Sequence, residues 1–332
     1  MSGRRLLALV AAAACAAAIA SQAGARSGTA AASAVVRSAI FYYPWYSNPT
    51  RDGRWAHWWV VHDGVPVLST RYYPRRGLYS SSNPRLVGAQ MAEIAATGVD
   101  AVVVSWWGEH SPENARLPLV TQAARAHGLA VAIHLEPYPG RTPASAAADI
   151  ARLREAGYED FYLYDADREP AQAWAEALAP LSDVRIFGHT TLVGRARAAG
   201  FDGVYTYDVA TWTGVGFRRL CTQARQAGLL CAPSVGPGYD ARLATRHELV
   251  RSRQDGATYD RMWKSALRAS ADLVTITSYN EWQEGTQIEP ARPQVERPGY
   301  DGAWGARGVA AQTAYLAATA RWVAELELRA RQ

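Results

Sequence analysis

Lysine is almost missing from this chain: Lys264 stands alone among 35 basic residues. The other bases are arginines scattered along the sequence, with no run of like charge. The net charge of +5 is therefore not gathered into a stripe that would track a nucleic-acid backbone. Phenylalanine is scarce too, 5 residues against 12 Trp and 17 Tyr. Rings with a polar handle thus replace the purely apolar one, as suits a site that stacks on sugar rings and hydrogen-bonds their hydroxyls, although the same rings also fill large cores. The three cysteines, Cys15, Cys221 and Cys231, lie in no metal-ligand or nucleophile motif. The histidines show no H-E-x-x-H spacing, which disfavours metal-dependent hydrolysis. No G-x-S-x-G elbow occurs, and no G-x-G-x-x-G follows the first apolar run, so neither a serine hydrolase nor a dinucleotide fold is indicated. No apolar run reaches the roughly 20 residues of a membrane span.

The N-terminus reads as an export signal. Arg4 and Arg5 precede the short apolar stretch Leu6 to Ala20, and Ala23-Gly24-Ala25 fits cleavage between small residues. Residues 1–25 are expected to be removed, by the general or the twin-arginine route, and the Ala/Ser/Gly-rich residues 26–36 to form a disordered lead-in. The expectation is a secreted or extracytoplasmic protein with no stable membrane anchor, acting as a monomer. An oxidising compartment permits a disulfide between Cys221 and Cys231; a reduced buried pair is the alternative.

From residue 37 onward a rhythm appears. Eight short apolar runs each end in aromatic or charged residues, and each is followed by an Ala-rich helical stretch: 38–43, 99–105, 130–135, 160–164, 183–187, 203–207, 229–234 and 272–277. Strands alternating with helices in this number predict one α/β domain, a (β/α)8 barrel over residues 37–332. The segment 47–83, rich in Trp, His, Tyr and Arg, reads as an insertion over a site. In such a barrel the strand C-termini converge on one face. They would deliver Tyr43, Trp45, Trp106, Trp107, Glu136, Tyr138, Tyr162, His189, Tyr207, Asn280, Glu281, Trp282 and Glu284: an acidic cleft walled by aromatics. Few cations are present to hold a phosphate. Carboxylates that move protons beside rings that stack on pyranose faces are the makeup of a glycosidase.

Glu281 and Glu284 stand three apart around Trp282, directly after an apolar strand. A carboxyl pressed against an aromatic ring would have its pKa raised and serve as acid, while its better-hydrated partner stays ionised. The residues alone do not say which is which. Glu136 is a third candidate, as a ligand to sugar hydroxyls, as a nucleophile, or as the structural partner of an arginine. His134 reads as a satisfied core histidine. Asp165 and Asp208 read as binders of loop backbone.

Several motifs together resemble glycoside hydrolase family 99, the endo-α-1,2-mannosidases. They are Phe41-Tyr42-Tyr43-Pro44-Trp45-Tyr46, Val104-Ser105-Trp106-Trp107, His134-Leu135-Glu136-Pro137-Tyr138 and, the most specific, the run from Ser278-Tyr279-Asn280-Glu281-Trp282-Gln283-Glu284 to Gly285-Thr286-Gln287-Ile288-Glu289-Pro290. The resemblance implies a (β/α)8 barrel and a retaining, endo-acting enzyme on a mannose-containing oligo- or polysaccharide. It implies Glu281 as the base that deprotonates the sugar 2-hydroxyl, so that a 1,2-anhydro sugar forms with no enzyme nucleophile. It implies Glu284 as the general acid and then base. Glu136, Tyr43, Trp106 and Tyr207 would line the subsites by the same analogy. No metal or organic cofactor is implied. A barrel that binds carbohydrate without turnover, and a glycosidase with a conventional carboxylate nucleophile, are the other readings.

Overall fold

The computed structural model describes residues 37–331; the expected leader and lead-in lie outside them. All eight strands expected from the sequence are present and parallel. They are β1 (Ser38–Tyr42), β2 (Ala101–Trp106), β3 (Ala130–Leu135), β4 (Asp160–Leu163), β5 (Arg185–His189), β6 (Gly203–Tyr205), β7 in two pieces (Leu230–Ala232 and Ser234–Val235) and β8 (Val274–Ile276). Pro233 divides β7, because proline has no N–H to give the ladder. The first piece of β7 pairs with β6 and the second with β8, which in turn pairs with β1, so the sheet closes on itself. Closure leaves every strand flanked on both sides by helices and neighbours, and β1, β2 and most of the others are buried along their length.

The outer ring comprises α1 (Pro84–Ala96), α2 (Pro112–Ala126), α3 (Pro143–Glu155), α4 (Ala171–Leu178), α5 (Val193–Ala198), α6 (Phe217–Gln226), α7 (Ala257–Arg268) and α8 (Ala314–Ala330). The first three start alike. Asn83, Ser111 and Thr142 turn a side-chain oxygen onto backbone N–H groups of the first turn, and a proline follows at the first helical position. Each of these caps is worth about 1 kcal/mol. Helix α6 is tied to β7 by a disulfide between Cys221 and Cys231, which decides between the two states open to these cysteines. No helix among the described residues is long and apolar enough to cross a membrane.

The barrel interior is aromatic. Alternation aims Phe41, His134, Tyr162, Phe187 and Tyr205 inward from five strands. Tyr162 stacks on Phe187 with centroids 4.8 Å apart, and Phe41 packs edge-on to Tyr162 at 5.7 Å. Much of the Trp and Tyr surplus is therefore core: Trp58, Trp106, Trp174, Trp263 and Trp282 are fully buried. The insertion after β1 adds a hairpin, Trp59–His62 with Val65–Leu68. It meets a short helix, Arg242–Thr245, through the His62 ring on the Leu243 carbonyl (2.9 Å) and an Asp63–Arg246 ion pair (2.6 Å).

Candidate active site

Strand β8 delivers the chain to Thr277, and a cis peptide leads on to Ser278. The segment 278–289 then folds back on itself: Ser278 N–H donates to the Thr286 carbonyl (3.1 Å) and Glu289 N–H to that of Tyr279 (2.8 Å). Asn280 pins this loop to the end of β1. Its Oδ1 accepts from Tyr43 N–H (2.7 Å) and its Nδ2 donates to the Tyr43 carbonyl (3.0 Å). Residues Trp282–Glu284 form one turn of 3₁₀ helix, with Glu281 just before it. Side chains three apart eclipse in a 3₁₀ turn, so Glu281 and Glu284 emerge on the same face. Gly285 ends the turn at φ 65°, and a Cβ there would lie 3.1 Å from the Asp240 backbone nitrogen. Glycine is needed at this point for both reasons.

The pair opens into a cavity of about 270 Å³ walled by Tyr43, Trp45, Trp107, Glu136 and Tyr207, with Tyr164 and Gln283. The Tyr207 hydroxyl donates to Glu281 and is itself hydrogen-bonded to the Tyr43 hydroxyl. Burial raises both glutamates. Glu281 is pushed well above the usual carboxylate range by desolvation and then by the Glu284 charge; Glu284 rises to about 7, through desolvation and then the Asp208 charge. Two carboxyls that share one dry cavity resist carrying two charges at once. Glu136 accepts from Ser105 Oγ (2.8 Å) and lies 3.0 Å from His134 Nδ1, so its partners are a serine and a histidine and not an arginine. Trp107 donates to the same Ser105 (3.1 Å), which aims the indole beside the carboxylate. A second cavity, about 530 Å³, shares the Trp45 and Trp107 walls and continues past His57, Arg54 and the buried Glu113. His57 stacks on Trp45 at 4.5 Å, and burial lowers its pKa to about 4, so it packs as a neutral ring. Among the described residues no three His, Cys, Asp or Glu are grouped to hold a metal.

Six of the residues expected at the site do not wall this cavity. Trp106 ends β2 on its outer face and donates to Asn114 of α2 (2.8 Å). Tyr162 lies one layer down in the barrel, against Phe187. Tyr138 is held by Asp149 of α3. His189 hydrogen-bonds the Thr206 carbonyl (3.1 Å) and stacks behind Tyr164 (4.5 Å). Asn280 and Trp282 are fully buried and hold the loop from behind. Asp208 binds the N–H groups of Ala210 and Thr211, as its sequence context predicts. Sequence reasoning missed Tyr164, Gln283 and the Ala241, Ala244 and Thr245 wall. Tyr164 was findable, being the next inward position after Tyr162; the small residues gave no signal.

Residues 35–328 match the family described as Glycosyl hydrolase family 99. The chain belongs to that family. It is 33% identical to a "Glycoprotein endo-alpha-1,2-mannosidase-like protein" of Danio rerio, over 77% of this chain and 71% of the relative. It is 29% identical to a "Glycoprotein endo-alpha-1,2-mannosidase" of Xenopus laevis, over 77% and 70%. Its fold superposes on the GH99 endo-alpha-mannosidase of Bacteroides thetaiotaomicron with a TM-score of 0.82 and 29% identity, covering 89% of this chain and 99% of that one. This family 99 protein is thus a glycoside hydrolase of (β/α)8 fold.

Proposed function

We propose that this family 99 enzyme is an exported, retaining endo-α-mannosidase that works through a 1,2-anhydro sugar. The observation that carries the reading is the placement of Glu281 and Glu284 on one buried turn, both lining the same cavity. Retaining enzymes with a carboxylate nucleophile keep their two carboxyls about 5–5.5 Å apart, across the anomeric carbon. Two carboxyls presented side by side from one turn, and not from opposite walls of the cleft, suit two proton transfers on the same edge of a sugar. The names of the relatives supply mannose as the sugar, and the cavity continuing past Trp45 and Trp107 gives a longer glycan room.

In the first step ionised Glu281 takes the proton of the 2-hydroxyl. The 2-oxygen bonds to the anomeric carbon, the glycosidic bond breaks, and Glu284 protonates the leaving oxygen. In the second step Glu284 takes a proton from water, whose oxygen bonds to the anomeric carbon. The bond to the 2-oxygen breaks, and Glu281 returns its proton. Two inversions give retention. The chemistry needs one proton on the pair, the number its mutual repulsion allows. A 2-hydroxyl donating to Glu281 favours the ionised form of that residue and leaves the proton to Glu284.

The test is to incubate residues 26–332 with an α-1,2-branched mannan, following products by mass and the newborn anomer by NMR. Oligosaccharides released with retained α-configuration are expected, and Glu284→Gln should lower turnover by about 10²–10⁴. A covalent glycosyl-enzyme trapped on Glu136 would refute the anhydro route in favour of a conventional nucleophile. Export rests on the Arg4-Arg5 and Leu6 to Ala20 signal; protein retained in the cytoplasm with Met1 intact would sink it.

A further inference from the structure

Arg253 follows a two-residue strand, Val250–Arg251, and is buried without a carboxylate partner. Its guanidinium sits among three tyrosine rings: Cζ lies 4.7 Å from the centroid of Tyr72, 4.9 Å from Tyr300 and 4.6 Å from Tyr315. Its Nη2 donates to two backbone carbonyls, Gly285 (2.9 Å) and Gln287 (2.6 Å), while Nε and Nη1 find no partner. Gly238 makes way for the side chain: a Cβ there would come 2.8 Å from Arg253 Cγ. A desolvated cation held by three rings and two carbonyls, without an ion pair, secures backbone and not charge. The two carbonyls that it does hold belong to the residues leaving the catalytic turn, one and three positions after Glu284. Tyr300 reinforces the same stretch, its hydroxyl donating to the Glu289 carbonyl (2.9 Å).

We propose that Arg253 is a positioning residue for Glu284. By gathering the carbonyls of Gly285 and Gln287 onto one nitrogen, it fixes the exit of the 3₁₀ turn and so the direction in which the Glu284 carboxyl points at the leaving oxygen. The tyrosine cage holds the cation where water cannot compete for those carbonyls. This rests on the reading of Glu284 as general acid.

The test compares wild type, Arg253→Met, Arg253→Lys and Glu284→Gln on two substrates: an oligomannoside with a sugar leaving group and its nitrophenyl counterpart, which departs without protonation. For Arg253→Met the expected result is a lower Tm, because two buried carbonyls lose their donor, with kcat/KM down at least tenfold on the sugar leaving group and within about threefold of wild type on the nitrophenyl substrate. Arg253→Lys, which keeps a charge able to reach the carbonyls, should recover part of the loss. Equal loss on both substrates, falling in step with Tm, would overturn the proposal by making the residue merely structural; so would no loss on either. If Arg253→Met does not fold, the leaving-group dependence of Arg253→Lys decides in the same way. If Glu284→Gln itself shows no leaving-group dependence, the acid assignment fails and takes this proposal with it. If Glu284→Gln shows it and the Arg253 variants do not, only the proposal falls.

Discussion

Glu289 closes the loop that carries Glu281 and Glu284, and its charge should make the protein less stable as pH rises. The carboxyl is buried and accepts from Tyr79 Oη (2.7 Å), Trp282 Nε1 (2.8 Å) and Gln90 Nε2 (2.8 Å). Those bonds lower its pKa, but desolvation outweighs them and lifts it from 4.5 to about 7. Between these two values the folded protein keeps a proton that the unfolded chain has lost. The native state therefore binds more protons in that window, and stability falls as pH rises through it. At about 1.4 kcal/mol per pH unit the cost reaches about 3 kcal/mol above pH 7. Glu289→Gln removes the charge and keeps the shape. The neighbouring Gln90 amide and the Tyr42 and Tyr79 hydroxyls can turn to suit it, since Tyr42 Oη already donates to Gln90 (2.7 Å). Glu281 and Glu284 are raised as well, so wild type alone would not isolate the effect; the difference between variant and wild type does. Urea unfolding of both proteins from pH 4.5 to 8.5 should show the variant gaining about 3 kcal/mol on wild type from the acid end to the alkaline end. A difference that stays flat across the window would refute the reasoning.

Two further perturbations act on the turn itself. Tyr207→Phe removes the hydroxyl that favours ionised Glu281, so the pKa of Glu281 should rise further; kcat should fall about tenfold at acid pH, and the acid limb of the pH–rate profile should move to higher pH. Gly285→Ala forces an L-residue into φ 65° and a Cβ against Asp240. A stability loss of about 1–2 kcal/mol by thermal unfolding is expected, with kcat falling more than KM rises.

The barrel was legible because its evidence is repetitive: eight apolar runs, each with a helical stretch behind it, leave little other choice. The carboxylate pair was legible because it directly follows β8. The walls were harder. At two strand ends the neighbouring position was the one that faces the cavity. Trp106 and Trp107 are adjacent and point to opposite faces, and only the strand's register tells which enters the cavity. Tyr162 and Tyr164 share a face, but only the second stands at the mouth. Composition promised a sugar-binding surface from Trp and Tyr, yet Trp58, Trp174 and Trp263 are core. Arg253 carried no signal at all and Glu289 only its place in the family motif, since a buried charge looks the same in sequence as a solvated one.

The divided seventh strand has a consequence for how the ring of strands breathes. Elsewhere each strand is laddered to both neighbours along shared residues; here Leu230–Ala232 ladders to one side and Ser234–Val235 to the other. On its other side each half has only scattered bonds, such as Asp272 N–H to the Cys231 carbonyl (3.1 Å) and Ser234 N–H to Thr206 Oγ1 (2.9 Å), so these amides should open at lower free energy than those of β2 or β3. Strand β8, which bears the catalytic loop, lies on one side of that seam. Small displacements of the loop can then be absorbed by one joint in the barrel wall, leaving the other rungs intact.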